Sequence, residues 1–369
     1  MKIVIIPSDY PDKKRNVYSF VKEFVDELAR QGHDVYVISP ISFFQYRRRL
    51  NYKERSSYGK GKVTVLRPLY ITGRENVSKH FRQKAIAKLV RIIKPDVVYG
   101  HFWKNAYDGY KVAKELSIPL FVASGESDVQ DQFPYSPKLK GFCDYVTGVI
   151  CVSSKNKKES IDLGLTSEDK CFVAPNAINS NLFQKLDKPS CRKELNIPHD
   201  IFIVAFVGWF NERKGAYRVS EAIEKLGDEQ IYSLFLGDGD LEPNCKNILI
   251  KGKVQHEKLP VYLNSADVFV LPTLKEGCCN AIIEAMACGL PVISSDRSFN
   301  WDVLNETNSI LVEPDNIEQI AQAIRTIKQD SELRSSFSRG ALDTTANLTI
   351  DNRTRGIVSF IENRINSIQ

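Results

Sequence analysis

Short apolar runs alternate with amphipathic segments along almost the whole chain. An Ile- and Val-rich run at residues 2–7 predicts a first strand. Val17, Val21, Phe24, Val25 and Leu28 then recur at helical spacing up to Gly32. Residues 34–39 predict a second strand. After a basic stretch come a strand at 63–66 and a helix presenting Phe81, Ala85, Leu89 and Ile92 on one face. A strand at 96–101, a helix at 106–116, and strands at 120–123 and 149–152 follow. Residues 176–198, flanked and broken by Pro175, Pro189 and Pro198, read as a loop. The pattern then restarts at 202–207 with a strong new strand, then a helix at 216–225 and strands at 233–237 and 248–250. A helix at 257–264, a strand at 268–271, a helix near 279–287 and a strand at 291–295 complete the repeat.

Strands alternating with helices predict parallel sheets covered on both faces. The expected fold class is α/β, with two doubly wound domains at residues 1–184 and 185–345. A last helix within 346–369 is expected to pack back on the first domain. A chain of 369 residues, 43% hydrophobic and 26% charged, is long enough for two such cores and needs no disulfides. The longest apolar run, 201–210, is ten residues, about half of a bilayer crossing. The apolar run at the start is too short for a secretory signal, so a cytoplasmic protein is expected. The eight cysteines contain no C-x-x-C pair and have no histidine at ligand spacing, so reduced thiols and no metal site are expected.

Charge changes the picture when it is split between the halves. Net charge is +6 overall, but +11 over residues 1–184 and −5 over 185–369. The densest basic stretch carries Arg47, Arg48, Arg49, Lys53, Arg55, Lys60 and Lys62 against one acid, Glu54. Phe43, Phe44, Tyr46, Tyr52 and Tyr58 are interleaved. Such a patch suits an anionic surface: phospholipid headgroups, a phosphorylated acceptor or nucleic acid. It equally suits a solvated charged loop.

Open parallel sheets bind ligands off the carboxyl ends of their strands. The loop after the first strand has no glycine, so the dinucleotide fingerprint is missing, and no P-loop occurs anywhere. The informative segment is LPTLKEGCCNAIIEAMACGLPVISSD, residues 271–296. A strand ends at Leu271 and a helix starts near Cys279, so the N–H groups of Gly277, Cys278, Cys279 and Asn280 suit a phosphate. Glu284 lies inside the helix, roughly 7 Å along it, where a carboxylate can accept both hydroxyls of a ribose. Glu276 sits in the loop, beside the group that such a nucleotide would transfer. The same residues also fit an ordinary helix with two surface glutamates.

The pattern E-G-x-x-N-x-x-x-E-A-M-A-C-G-x-P-V over residues 276–292 resembles the signature of glycosyltransferase family four, retaining enzymes of the GT-B fold. The resemblance extends to PDVVYGH, VSS near 152, PNAIN followed by Phe183, FVGWFNERKG and LGDGDLE, and so covers the chain. It implies two facing Rossmann-like domains, the first for the acceptor and the second for a nucleotide sugar. It implies Glu284 on the ribose, Glu276 on donor-sugar hydroxyls, and the loop N–H groups on the diphosphate.

Lys214 matches the lysine of the family's G-R-x-x-x-x-K-G loop, but Trp209 stands in place of its arginine. Arg213 is the candidate replacement, since a second cation would stabilise charge on the leaving diphosphate. His101 matches a strand-end histidine near the donor sugar. Glu126 and Asp128, in SGESDV, fall where acceptor contacts are expected. Lys13, Lys14, Arg15 and Asn16 occupy the first loop in place of the family's glycine pair. Asp238-Gly239-Asp240 spells a D-x-D metal motif, here read as a turn; His33, His80, His199 and His256 read as structural or solvated.

The resemblance thus implies a retaining transferase that uses a UDP-sugar and no metal or other cofactor. The acceptor would be a glycan or lipid-linked glycan in cell-surface polysaccharide or glycoconjugate synthesis. An anionic membrane surface is an expected partner through Arg47, Arg48, Arg49, Lys53 and Arg55; nucleic acid is not. Two rivals remain: a nucleotide-sugar 2-epimerase of the same fold, and a non-catalytic partner subunit.

Overall fold

The computed structural model describes residues 1–12, 18–43 and 52–367. Lys13, Lys14, Arg15 and Asn16 lie outside the described residues, as do Phe44, Tyr46, Arg47, Arg48 and Arg49. The chain forms two compact units, Met1–Ala174 with Ile350–Gln369, and Pro175–Thr349. The first crossing thus falls ten residues before the expected boundary at 184/185. Residues 175–184 belong to the second unit because they are tied into it. Asn176 Nδ2 donates to the Cys278 carbonyl (2.9 Å), and the Ile178 N–H donates to the Leu348 carbonyl (2.9 Å).

The first unit contains β1 (Lys2–Ile6), β2 (Asp34–Ile38), β3 (Ile41–Ser42), β4 (Lys53–Tyr58) and β5 (Gly61–Leu66). It continues with β6 (Leu69–Tyr70), β7 (Val97–His101), β8 (Leu120–Ser124), β9 (Gly148–Cys151) and β10 (Cys171–Val173). The main sheet has the order β10-β9-β8-β7-β1-β2-β5-β4, parallel except for the antiparallel β4–β5 pair. Ile3, Val4, Ile5 and Ile6 are at most 1% exposed, as a parallel strand covered on both faces requires. Helix Ser19–Arg30 turns Val21, Phe24, Val25 and Leu28 inward, the i, i+3, i+4, i+7 stripe of the sequence. Helix Trp103–Glu115 lies so close to β7 that a Cβ on Gly100 would sit 2.2 Å from Ala106 Cα. The last helix, Ile350–Asn366, buries Ile357 and Ile361 in the same cluster as Ile3 and Phe24. Gln31 Nε2 also donates to Asp351 Oδ1 (3.1 Å), and Arg364 Nε to the Thr147 carbonyl (3.1 Å).

The second unit contains β11 (Phe202–Val207), β12 (Ile231–Leu236), β13 (Ile248–Gly252), β14 (Val268–Leu271), β15 (Val292–Ser295) and β16 (Ser309–Val312). Their order is β13-β12-β11-β14-β15-β16, all parallel. This is the 3-2-1-4-5-6 order of doubly wound sheets, with its direction of winding reversing between β11 and β14. In the first unit the reversal lies between β1 and β7. Loops leaving the carboxyl ends of those neighbouring strands diverge and open a crevice.

Several elements were not expected, and two of them contradict the expected pattern directly. Residues 53–58 form the edge strand β4, where the charged sequence KERSSY gave no alternation to see. The proline-flanked stretch 176–198 contains helix Lys188–Glu194, whose Asp187 cap accepts from the Ser190 N–H (2.9 Å). Pro189 sits in its first turn, where the missing N–H has no partner to lose. No helix among the described residues is long and apolar enough to cross a membrane.

Candidate active site

In the second unit, the loops after β11 and β14 meet at the winding reversal. The first delivers Arg213 and Lys214, and the second delivers Glu276. A tie between the two loops, from the Leu274 N–H to the Arg213 carbonyl (2.8 Å), fixes them together. Glu276 Oε1 lies 2.6 Å from Lys214 Nζ and 2.6 Å from Arg213 Nη1, and accepts from Thr273 Oγ1 (2.9 Å). The Arg213 guanidinium also donates to the Lys275 carbonyl (2.8 Å). The Lys214 and Glu276 side chains are each only 11% exposed, and that of Arg213 is 38%. Burial works against the Lys214 ammonium, yet Cys279 and Glu276 outweigh it and hold its pKa above the usual lysine range.

Helix Asn280–Ala287 begins immediately beyond, with Cys279 as the residue before it. Cys279 Sγ lies 3.5 Å from Lys214 Nζ, and burial pushes its thiol pKa up. The loop of Gly277, Cys278, Cys279 and Asn280 is braced by Asn176, whose Nδ2 donates to the Cys278 carbonyl and to Asn280 Oδ1 (2.7 Å). Asn176 carried a signal in PNAIN that spacing alone did not convert into a role. Glu284 follows on the same helix, its side chain 13% exposed.

His256 was missed as a site residue. Its Nε2 lies 2.9 Å from Glu284 Oε1, and its ring packs 5.2 Å from that of Phe183. It is therefore partly exposed and tied to the candidate site through Glu284. Trp209 is 58% exposed, with the Lys253 ammonium 5.8 Å above its ring. Lys253 also pairs with Asp238 of the D-x-D triplet. Among the described residues no cluster of three or more potential ligands could hold a metal.

In the first unit, His101 ends β7 at the other winding reversal. Its ring lies between Phe102 (4.6 Å) and Phe20 (5.5 Å), and its buried Nδ1 has no hydrogen-bond partner among the described residues. Burial, reinforced by the charge of Arg353, lowers its pKa to about 3, so the imidazole is neutral at ordinary pH. The next residue, Phe102, has φ 80°, a conformation that bulky side chains avoid. Glu126 holds that turn. It is 2% exposed, and its carboxylate accepts from the Trp103 N–H (2.8 Å) and from Ser124 Oγ (3.1 Å). Burial raises its pKa to about 7 despite those bonds. The Glu126 carboxylate thus caps helix Trp103–Glu115, where an acceptor contact was expected. Asp128 likewise caps a short helix, accepting from the Asp131 N–H (2.9 Å). Lys53 and Arg55 are exposed on the edge strand β4, while Glu54 is engaged by the buried Arg67 (2.9 Å).

Two Rossmann-like sheets, the second with paired cations, a carboxylate and a helix start at its winding reversal, define a GT-B glycosyltransferase. The chain belongs to glycosyltransferase family 4. Residues 17–182 match the model of Glycosyltransferase Family 4, and residues 187–343 that of glycosyl transferases group 1. The chain is 31% identical over 351 residues to Bacillus subtilis TuaC, named as a teichuronic acid biosynthesis glycosyltransferase; the match covers 88% of each chain. It is 25% identical over 288 residues to the Escherichia coli UDP-Gal:alpha-D-GlcNAc-diphosphoundecaprenol alpha-1,3-galactosyltransferase, covering 70% of this chain and 73% of that one. In structure it resembles a sucrose-phosphate synthase from Thermosynechococcus elongatus, with TM-score 0.82, 19% identity and full coverage of both chains.

Proposed function

We propose that this glycosyltransferase moves a sugar from a UDP-sugar to a lipid-linked glycan acceptor during cell-surface polysaccharide synthesis, with retention of anomeric configuration. The observation that carries the donor assignment is the convergence of Lys214, Arg213 and Glu276 at the winding reversal, just ahead of the helix that carries Glu284. A diphosphate would lie against the start of helix Asn280–Ala287, with Lys214 and Arg213 meeting the charge that grows as the sugar–phosphate bond breaks. Glu284 would take the ribose hydroxyls, and Glu276 the hydroxyls of the donor sugar. Neutral His101 would offer a hydrogen bond to a sugar hydroxyl. In this scheme side chains neutralise the diphosphate, and EDTA leaves turnover unchanged. The names of the Bacillus and Escherichia relatives support the polysaccharide context, and the latter name supports a UDP-sugar and a diphospholipid acceptor. The reaction would take place at the cytoplasmic face of a membrane, where Lys53 and Arg55 add to an anionic-surface contact.

The test is nucleotide release from a panel of UDP-sugars, with and without undecaprenyl-diphosphate-linked acceptors, and NMR of the product's anomeric centre. Acceptor-dependent release with retention is expected. Release of free sugar without acceptor would assign a 2-epimerase instead, and nucleotide binding without release would assign a non-catalytic partner. An inverted product would overturn the retaining mechanism alone.

A further inference from the structure

A second cavity lies in the same unit, at the opposite end of its strands from Lys214 and Glu276. It has a volume of about 560 Å³, and Ala266, Asp267, Leu290 and Pro291, which line part of it, precede β14 and β15. The donor-site loops instead follow β11 and β14. Nothing in the proposed transfer reaction uses this cavity. A volume of this size lies within the range of small-molecule sites, roughly 300–1,000 Å³.

Its charge is the informative feature. The second unit, residues 175–349, carries a net charge of −6. The cavity runs against that background, lined by Lys185, Lys188, Arg334 and Arg339 with only Asp187 and Asp267 opposite. Two acids against four cations leave the lining net positive. Asp267 already faces Lys188 (2.7 Å) and the buried Arg192 (2.8 Å), and also accepts from the Ile203 N–H (2.8 Å). Asp187 serves as a helix cap through Ser190. Arg334 Nη1 is held by the Ile327 and Lys328 carbonyls (2.7 and 3.0 Å), which position it without cancelling its charge. Lys185 and Arg339 have no ion pair among the described residues.

The backbone brings these groups together. Gly289 turns at φ 77° after helix Asn280–Ala287, and a Cβ there would meet both Lys185 Cδ and Ser338 Oγ at 3.3 Å. The stem of Lys185 and the hydroxyl of Ser338 therefore face each other across this turn. Helix Ser331–Thr345 supplies Arg334, Ser338 and Arg339 from one wall. Unpaired lysine and arginine with a hydroxyl between them match the oxygens of a phosphate. A concave site suits a small ligand better than the flat surface of a bilayer.

We infer that this cavity is a second ligand site, which binds a small phosphorylated metabolite through Lys185, Arg334 and Arg339. The experiment is calorimetric titration with inorganic pyrophosphate, in a Lys214→Met chain so that the donor site contributes little. One equivalent is expected to bind, and adding Lys185→Ser and Arg339→Ser should weaken it at least tenfold. Both substituted residues are exposed, and unchanged melting curves would show that the fold persists. No binding to the Lys214→Met chain, or binding that ignores the two serines, would overturn the inference. Co-sedimentation with phosphatidylglycerol vesicles separates the other source of phosphate. Vesicle binding that requires Lys185 and Arg339, with no pyrophosphate binding, would overturn the small-metabolite assignment.

Discussion

Replacing Arg213 with alanine tests whether it takes over from the arginine that Trp209 displaces. Arg213 Nη1 and Lys214 Nζ stand at the same 2.6 Å from one oxygen of Glu276, so both reach the same point in the site. They differ in solvent exposure, at 38% against 11%. Two unit charges about 4 Å apart interact by about 4 kcal/mol near a protein surface and about 1 kcal/mol in water. The more exposed Arg213 falls toward the lower part of that range, about 1–3 kcal/mol of transition-state stabilisation. That corresponds to a fall in kcat of about 5- to 150-fold for Arg213→Ala. Lys214→Ala should cost more, about 100- to 1,000-fold, comparable to removing a preorganised donor from a buried site. The stability costs diverge too. Arg213→Ala should lose less than about 1 kcal/mol, as for an exposed pair. Lys214→Ala leaves Glu276 with Arg213 and Thr273, so its loss should fall short of the about 3–5 kcal/mol of an orphaned buried charge. Steady-state kinetics with saturating donor, alongside urea unfolding, read both quantities. Wild-type kcat in Arg213→Ala, with Lys214→Ala slowed, would refute the substitution of one guanidinium for the other.

Glu284→Ala should weaken UDP binding by about 1–3 kcal/mol, and His256→Ala by a smaller amount in the same direction, because His256 orients that carboxylate; calorimetry giving equal affinities for all three chains would refute the ribose assignment. Between about pH 4.5 and 7 the folded protein keeps a proton on Glu126 that the unfolded chain has released, so this group's contribution to stability falls as pH rises. His101 acts in the opposite sense, since below about pH 6.5 the unfolded chain takes up a proton that the folded ring refuses. Glu126→Gln should therefore steepen the rise of stability from pH 4.5 to 6.5, and His101→Asn should flatten it, as read by urea midpoints across that interval. Gly100→Ala should cost about 3 kcal/mol or more, because its Cβ meets the backbone of Ala106 and not a movable side chain; a urea midpoint near wild type would show that helix and strand can separate cheaply.

The alternation of apolar runs revealed most strands of both sheets because parallel strands are buried on two faces and stand out as Ile- and Val-rich blocks. It did not reveal β4, an edge strand whose sequence KERSSY has little to bury. Nor did it reveal helix Lys188–Glu194, where Pro189 looked like a breaker although a first-turn proline is compatible with a helix. The domain boundary was displaced for a related reason. Residues 175–184 lack regular structure, and their allegiance is decided by long-range bonds such as Asn176 to Cys278. Strand–loop–helix order put Glu276 and Glu284 around one helix start, and the resemblance of its loop pointed to Lys214, whose Nζ lies 2.6 Å from Glu276 Oε1. The role of Glu126 was not, since it depends on a residue 23 positions earlier, Trp103, whose N–H needs a cap after the unusual backbone of Phe102.

The three donors to Glu276 constrain how the site can work. Lys214, Arg213 and Thr273 all fall on Oε1, and Oε2 has no partner among the described residues. One carboxylate thus serves two ends of the proposed donor. Oε1 keeps two like charges side by side while the site is empty, which would otherwise repel each other in a poorly solvated crevice. Oε2 stays available for a sugar hydroxyl. A diphosphate of the proposed donor would compete with Oε1 for the same cations, and its higher charge would favour the exchange. Removing the carboxylate should then act in two opposed ways. Glu276→Gln would free the cations to hold UDP more tightly, while weakening the grip on the sugar that turnover needs. Tighter UDP binding together with slower transfer is the expected signature, measured by calorimetry and by initial rates on one preparation. If UDP affinity instead fell together with the rate, Glu276 would be organising the phosphate site and not competing with its ligand.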